Sequence, residues 1–200
     1  MKKILTLSAT LLAAAIALAG CSTDTGTGGM SGMNHGASAS PGMGASAAVA
    51  DHNSADTMFA QAMIPHHAQA VEMSTTILAK QGIDPRVGAL ATTIKAAQAP
   101  EIEKMTEWLT GWGEPTAMAA GHSMTGMMST DDMAKLDAAQ GTEAAKLFLS
   151  QMVAHHEGAL AMAQTETADG RNPDAVALAK SIVSSQKSEI KDMKDLLATL

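Results

Sequence analysis

Tyrosine is absent from this 200-residue chain, aromatic residues make up only 2% of it, and cysteine occurs once. So few aromatic side chains argue against a base-stacking surface and against an aromatic-lined pocket for an organic ligand. Basic residues are also few, with 13 Lys and Arg against 20 Asp and Glu. The formal charge of −7 argues against a nucleic-acid binder, which needs a basic face, and one cysteine cannot form an internal disulfide.

Methionine, in contrast, is abundant, with 16 residues. Because Met is a flexible gap-filler that specifies a core poorly, this number exceeds what packing alone requires. Hydrophobic residues make up 46% of the chain and charged residues 16%, which is enough for a core. Abundant Ala with little Tyr and Val favours helices over strands.

The first 20 residues have the features of a secretory signal. Two lysines are followed by an apolar run from Ile4 to Ala19, which is shorter than the roughly 20 apolar residues that a comfortable membrane span needs. The run ends in Leu-Ala-Gly-Cys at 18–21, which resembles the bacterial lipobox, cleaved before a cysteine that carries the lipid. We therefore expect an exported protein anchored through Cys21 to the outer face of the cell membrane, or periplasmic if the envelope has two membranes. An ordinary signal peptide with an incidental cysteine is the alternative.

Two stretches of the chain are rich in Gly and Met and poor in branched apolar residues. Residues 21–53 cannot bury enough surface to offset their ordering entropy, so we predict a disordered Gly/Ser/Met tether. The second stretch, 111–129, is predicted to be a loop. Its soft side chains are either accessory metal ligands or incidental residues of a spacer: Met118, His122, Met124, Met127 and Met128.

The remainder, 54–200, repeats itself. With an offset of 89, Phe59, Met63, His66, His67, Ala70 and Met73 match Phe148, Met152, His155, His156, Ala159 and Met162. With an offset of 88, ten further residues from Pro85 to Leu109 match those from Pro173 to Leu197. Sixteen identities in order are not a chance event, so the chain contains a duplicated unit.

Each unit is predicted to be a helical hairpin. Apolar residues recur at intervals of three and four residues, as on one face of a helix. Asp84 and Asn172 are suitable N-caps, and each is followed by Pro at the first helical position. The Gly residues before them, Gly82 and Gly170, suit the preceding helix ends. We predict an all-α protein, a four-helix bundle of two pseudo-symmetric hairpins at 54–110 and 130–200, with a short extra helix at about 130–139. Pro65 lies inside the first helix, where we expect a kink rather than a break.

Histidine and methionine share a face in both units. Met63 precedes His66 and His67 by three and four residues, and Met152 precedes His155 and His156 in the same way. Adjacent residues are about 100° apart around a helix, so one imidazole of each pair should face the core and the other flank it or serve a separate site. The candidate metal ligands are Met63, His66, His67, Met73, Met152, His155, His156 and Met162. Because each hairpin has its own set, we favour separate sites, although core filling remains an equal explanation for any single Met.

A second group of residues falls on or beside the same stripes of the partner helices. Gln98, Glu101, Gln186 and Glu189 could orient the histidines by hydrogen bonds, as is usual around metal sites. With Met105 and Met193, which lie on the same stripes, they make up the candidate residues around the metal ligands: Gln98, Glu101, Met105, Gln186, Glu189 and Met193. Solvated boundary positions are the competing explanation for the Gln and Glu residues.

Copper suits this donor set. Thioethers favour Cu(I) and imidazoles Cu(II), whereas Zn more often takes Cys, His and carboxylate, and a di-iron bundle needs Glu-x-x-His, which does not occur here. Nor does the sequence contain a nucleophile–base motif, so we do not expect an enzyme.

The two Met-x-x-His-His motifs, each followed by Met six residues after the second His and then by Gln-x-x-Glu-Ile-x-x-Met, resemble the domain-of-unknown-function family numbered 305. The resemblance covers about residues 54–200. It implies a ferritin-like four-helix bundle, export and, in some members, copper binding or tolerance. We therefore expect a membrane-anchored copper-binding protein, with a copper-handling protein as partner. A redox enzyme with a metal in the bundle core, and a metal-free interaction lipoprotein, are the alternatives.

Overall fold

The computed structural model describes residues 51–118 and 124–200. The predicted signal, Cys21, the tether up to residue 50 and His122 lie outside these ranges. The described part of the chain is helical and contains no strand. Its helices are α1 (Ser54–Leu78), α2 (Pro85–Trp112), α3 (Thr130–Ala138), α4 (Gly141–Asp169) and α5 (Pro173–Leu197). None of them, over the described residues, is long and apolar enough to cross a membrane.

Local sequence signals account for the helix boundaries. The side chains of Asp84 and Asn172 accept backbone N–H groups at the starts of α2 and α5, each with Pro at the first helical position, as predicted. Asn53 and Asp56 form a reciprocal capping box at the start of α1. The short helix predicted near 130–139 is confirmed as α3, and α2 extends two residues beyond the predicted end at 110.

Two details differ from the expectation for helix ends. Gly82 has a φ of +71° but lies beyond the C-cap of α1 at Ala79, within the turn to α2. Gly170 caps α4 with a φ of −66°, so it does not adopt the left-handed conformation typical of a C-terminal glycine. Pro65 lies inside α1, which continues without a break, as expected.

The helices pack as two pairs joined at a central contact. Helix α1 packs along α2 and α4 along α5, and α1 and α4 make the main contact between the pairs. The core on one side of this contact contains Met73, Ile77 and Phe148, and the core on the other side contains Phe59, Met63 and Leu109. Along the sequence of α1, His66 and His67 lie between the residues that belong to one cluster and those that belong to the other.

Residues 124–129, which we call the strap, cross α4 at the level of the histidines. Gly126, with a φ of +87°, approaches Gly158 so closely that a Cβ on Gly126 would lie 2.8 Å from the Gly158 Cα. The Gln69 side chain of α1 holds the backbone of Met128 through two hydrogen bonds, of 2.7 and 3.0 Å. The strap is thereby attached to both helices that supply the histidines.

Candidate metal centre

Two histidines from different helix pairs meet at the α1–α4 contact. The ring centroids of His66 and His155 are 3.7 Å apart, with an interplanar angle of 38°. These two residues occupy corresponding positions in the two repeats. The structure thus brings together one imidazole from each repeat, rather than the two adjacent imidazoles of one repeat.

These two imidazoles are buried and neutral. Neither ring nitrogen of His66 or of His155 has a hydrogen-bond partner of good geometry among the described residues, although the backbone of Thr125 lies near the His66 ring and the backbone of His66 near the His155 ring. Burial foremost, and then the neighbouring His67 and His156, lowers the pKa of His66 from 6.5 to about 3. Burial, with His66 as the next cause, lowers the pKa of His155 to about 2. A neutral imidazole with a free lone pair is the form that ligates metal ions.

The second histidine of each repeat is held by a carboxylate of the adjacent helix. His67 Nε2 lies 2.8 Å from Glu101 Oε2, and His156 Nε2 lies 2.7 Å from Glu189 Oε2. An acceptor at this position fixes the tautomer with the proton on Nε2, leaving Nδ1 as a lone-pair donor. Neither Nδ1 has a hydrogen-bond partner among residues 51–118 and 124–200. Each glutamate is therefore positioned to orient one histidine.

The methionines are divided between the two apolar clusters. Met63 and Met105 lie in one cluster with Met162 packed against it, and Met73, Met152 and Met193 lie in the other. Met63 and Met152 are one helical turn from the central histidines, whereas Met73 and Met162 are seven residues away, about 10 Å along the axis. The four-residue set of each repeat is thus distributed on both sides of the histidines.

The remaining candidates occupy three environments. Gln98 and Gln186 are buried, but neither makes a hydrogen bond with a histidine within the described ranges. Met124, Met127 and Met128 belong to the strap and are half-buried. Met118 lines a cavity at the amino end of α1, away from the histidines.

The donor set at the centre is suited to a soft ion. Over the described residues, no three His, Cys, Asp or Glu side chains are arranged to hold a metal ion. A metal at the His66–His155 contact would therefore need thioether ligands beside the two imidazoles, and Met63 and Met152 are the nearest in sequence. Imidazole with thioether is the combination that suits copper.

Sequence reasoning missed a buried pair of acidic residues. Asp56 of α1 and Glu166 of α4 are both buried, and Asp56 accepts the backbone N–H groups of Arg171 and Asn172. Burial first, and then neighbouring Asp56 and Asp169, raises the pKa of Glu166 from 4.5 to about 8. The two residues are 110 positions apart and have no acidic counterparts in the repeat, so no local pattern indicated them.

The fold and the centre define a class of all-helical protein in which two internal repeats bring neutral histidines together in a methionine-rich core. The model of DUF305, a domain of unknown function, matches residues 56–197, and the chain belongs to this family. A comparison with curated proteins finds no match.

Solved structures of the family are similar to this chain. A DUF305 protein from Streptomyces coelicolor, assigned as secreted, is 37% identical with a TM-score of 0.68, the match covering 75% of this chain and 94% of that one. A DUF305 fragment from Deinococcus radiodurans is 30% identical with a TM-score of 0.68, covering 74% and 98%. CopM in its Cu(I)-bound form is 30% identical with a TM-score of 0.61, covering 72% and 96%. CopM has also been solved with Cu(II) and with Ag.

Proposed function

We propose that this protein binds copper outside the cytoplasm, for sequestration, transfer or tolerance, at a site shared by its two repeats. His66 and His155 are the central imidazole ligands, with thioethers from Met63 and Met152. His67 and His156, oriented by glutamates, flank this central pair. This is a shared site rather than one site in each hairpin.

The contact between His66 and His155 is the observation that supports this proposal most directly. Burying a polar nitrogen without a partner costs on the order of 1–3 kcal/mol. A core that places two such rings against each other is poorly explained by packing alone, whereas a bound metal ion would give the nitrogens a partner. Likeness to CopM, whose structures contain copper, supports copper as that ion.

Replacing both central histidines by glutamine tests the site. We expect His66→Gln with His155→Gln to weaken tight copper binding by at least tenfold, the range typical of losing even an orienting partner. Affinity is measured by competition with a chromophoric chelator, for Cu(I) under reducing conditions and for Cu(II) under oxidising ones. His52→Gln is the control, because His52 lies outside the helices and stacks on Trp112.

The single variants separate a shared site from two independent ones. Loss of all tight binding on changing either His66 or His155 alone supports one shared site, and loss of half the stoichiometry contradicts it. Unchanged copper binding together with destabilisation of the metal-free protein, by about 1–3 kcal/mol, would make the histidines structural.

We further propose that the four long helices form a ferritin-like four-helix bundle of two hairpins. The protein acts as a copper carrier rather than as an enzyme, and its partner is a copper-handling protein. Export is supported by the signal-like sequence and by the likeness to a relative described as secreted, and lipid attachment at Cys21 is supported by the sequence motif.

Lipid attachment is tested by Cys21→Ala. We expect this variant to leave the membrane fraction and to lack the lipid, because the thiol is the attachment point that the lipobox requires. Fractionation and mass spectrometry of the amino terminus measure both. A Cys21→Ala protein that is still lipidated would contradict the proposal.

A further inference from the structure

A cavity of about 470 Å³ lies at the amino end of α1 and the carboxyl end of α4. Three thioethers line it, and they come from three different segments. Met58 belongs to α1, Met162 to α4 and Met118 to the segment that follows α2, while Phe59 and Ala62 supply apolar wall. The side chain of Met58 is 56% exposed, so solvent reaches the cavity past this residue.

Glu166 also lines the cavity and is only 1% exposed. Neither of its carboxyl oxygens accepts a hydrogen bond from any group in the described ranges. Neighbouring Asp56, in contrast, is fully engaged, because it accepts backbone N–H groups from Asn53, Arg171 and Asn172. The protonated carboxyl group of Glu166 donates a hydrogen bond to Asp56, and this acidic pair lies beside the methionine-lined space.

The fold itself does not require a carboxyl group at this place. With the repeat offset of 89, Glu166 corresponds to Ile77 and Asp56 to Ala145. Both counterparts are fully buried apolar residues of the opposite cluster. One end of the molecule is thus closed by ordinary core packing, while the equivalent end contains an acidic pair beside a cavity. Asp56 caps backbone N–H groups at this end, so Glu166 is the member of the pair that the packing of the fold does not explain.

We propose that Met58, Met118, Met162 and Glu166 form a second binding site, for a soft monovalent cation of the Cu(I) type. Thioethers select such ions over hard cations, and the carboxyl group of Glu166, which releases its proton to solvent when the ion binds, supplies the charge that neutralises them. Met118, predicted from the sequence as an accessory ligand, and Met162, predicted as a central ligand, are both assigned to this site instead. It uses none of the four core histidines, so it does not depend on the proposed central site.

The two sites differ in accessibility. The central histidines are fully enclosed, whereas the cavity opens to solvent beside an exposed methionine. We therefore expect the cavity to load and release its ion faster than the centre. Its position beside the start of α1 also places it where the preceding chain segment joins the helices.

Silver(I) titration of the full mature chain tests the site, with Ag(I) as a redox-inert probe of soft monovalent binding. Methyl-labelled methionine NMR identifies the thioethers that respond. We expect the Met58 and Met162 methyl signals to shift on adding Ag(I), and to shift equally in the His66→Gln, His155→Gln variant. Persistence in that variant distinguishes this site from the central one, so each proposal can fail without the other.

Substitution provides the second measurement. Met58→Leu with Met162→Leu conserves volume and should remove one equivalent of Ag(I), and Glu166→Gln should weaken that equivalent by at least tenfold. Met133→Leu is the matched control, because Met133 packs against the opposite cluster. Equal stoichiometry in the double variant and the control would overturn the proposal. So would Met58 and Met162 methyl signals that do not move, a result that needs no substitution and no test of folding.

Discussion

The glutamates beside the second histidines show how a single residue sets the chemistry of its neighbour. Glu101 and Glu189 each lie within hydrogen-bond distance of a fully buried ring, while their own side chains remain partly exposed, at 22% and 15%. Each carboxylate compensates for the burial of one imidazole N–H and directs the opposite nitrogen inward. Their contribution is therefore to orientation rather than to the packing of the core.

Removing one of these carboxylates should lower metal affinity without unfolding the protein. We expect Glu101→Gln to weaken copper binding 10- to 100-fold, because the amide holds the His67 tautomer less firmly. Glu189→Gln should act to the same extent through His156. Chelator competition measures the affinity, and Glu103→Gln is the control, since Glu103 is an exposed residue of the same helix. Different effects at the two glutamates would contradict a symmetric role.

At the scale of elements, the strap covers the central histidines by contact with both helices that bear them. A Cβ on Gly126 would lie 3.0 Å from the carbonyl oxygens of Ala154 and His155, so the loop backbone lies directly on α4. Two hydrogen bonds between the Gln69 side chain and the Met128 backbone attach the other end of the strap to α1. Glycine at 126 and 158 is required because side chains there would separate loop and helix.

Separating the strap from α4 should accelerate metal exchange. In Gly158→Ala the added Cβ meets the carbonyl oxygen of Thr125, so the strap must move. We expect copper removal by an excess of chelator to become several-fold faster, and overpacking to cost about 1–3 kcal/mol of stability.

Gly88→Ala is the matched control for this change. It is also a helical glycine, but its Cβ would meet nothing within 4 Å. An exchange rate in Gly158→Ala equal to that of Gly88→Ala would show that the strap does not limit access to the centre.

The elements were largely predictable from the sequence, and the contacts between them were not. Asp84-Pro85 and Asn172-Pro173 mark helix starts by local chemistry that needs no tertiary information. Glu101 and Glu189 were candidate partners because they fall on or beside the inner stripes of their helices, although they lie 34 and 33 residues after the histidines that they contact. The pairing of His66 with His155 depends on how α1 packs on α4. The pattern within one repeat contains no information about that contact, and the sequence therefore favoured a separate site in each repeat.

At the scale of the whole molecule, buried ionisable groups predict how the stability of the metal-free protein depends on pH. The lowered pKa values of His66 and His155 mean that the unfolded chain binds more protons as pH falls below 6.5, so acid destabilises the fold. The raised pKa of Glu166 means that the folded chain keeps a proton that the unfolded chain releases, so stability also falls as pH rises from 4.5 to about 8.

These opposing effects should produce a stability maximum near pH 6.5. Each group contributes a slope of at most about 1.4 kcal/mol per pH unit. Urea unfolding of the metal-free protein between pH 4 and pH 9 measures the curve. Glu166→Gln should abolish the loss of stability between pH 6.5 and 8 and should retain the loss of stability below pH 6.5. A wild-type curve that is flat above pH 6.5 would contradict the assignment of a protonated Glu166.

The contact between His66 and His155, which are corresponding residues of the two repeats, has a consequence for how such a centre arises in evolution. One repeat contributes one central imidazole, so a protein with a single unit would have to dimerise to build the same contact, and its metal affinity would fall on dilution. Joining the two units in one chain makes assembly intramolecular and independent of protein concentration. It also allows the two ends of the molecule to diverge, as Glu166 and Ile77 have done, while the centre keeps histidine in both repeats.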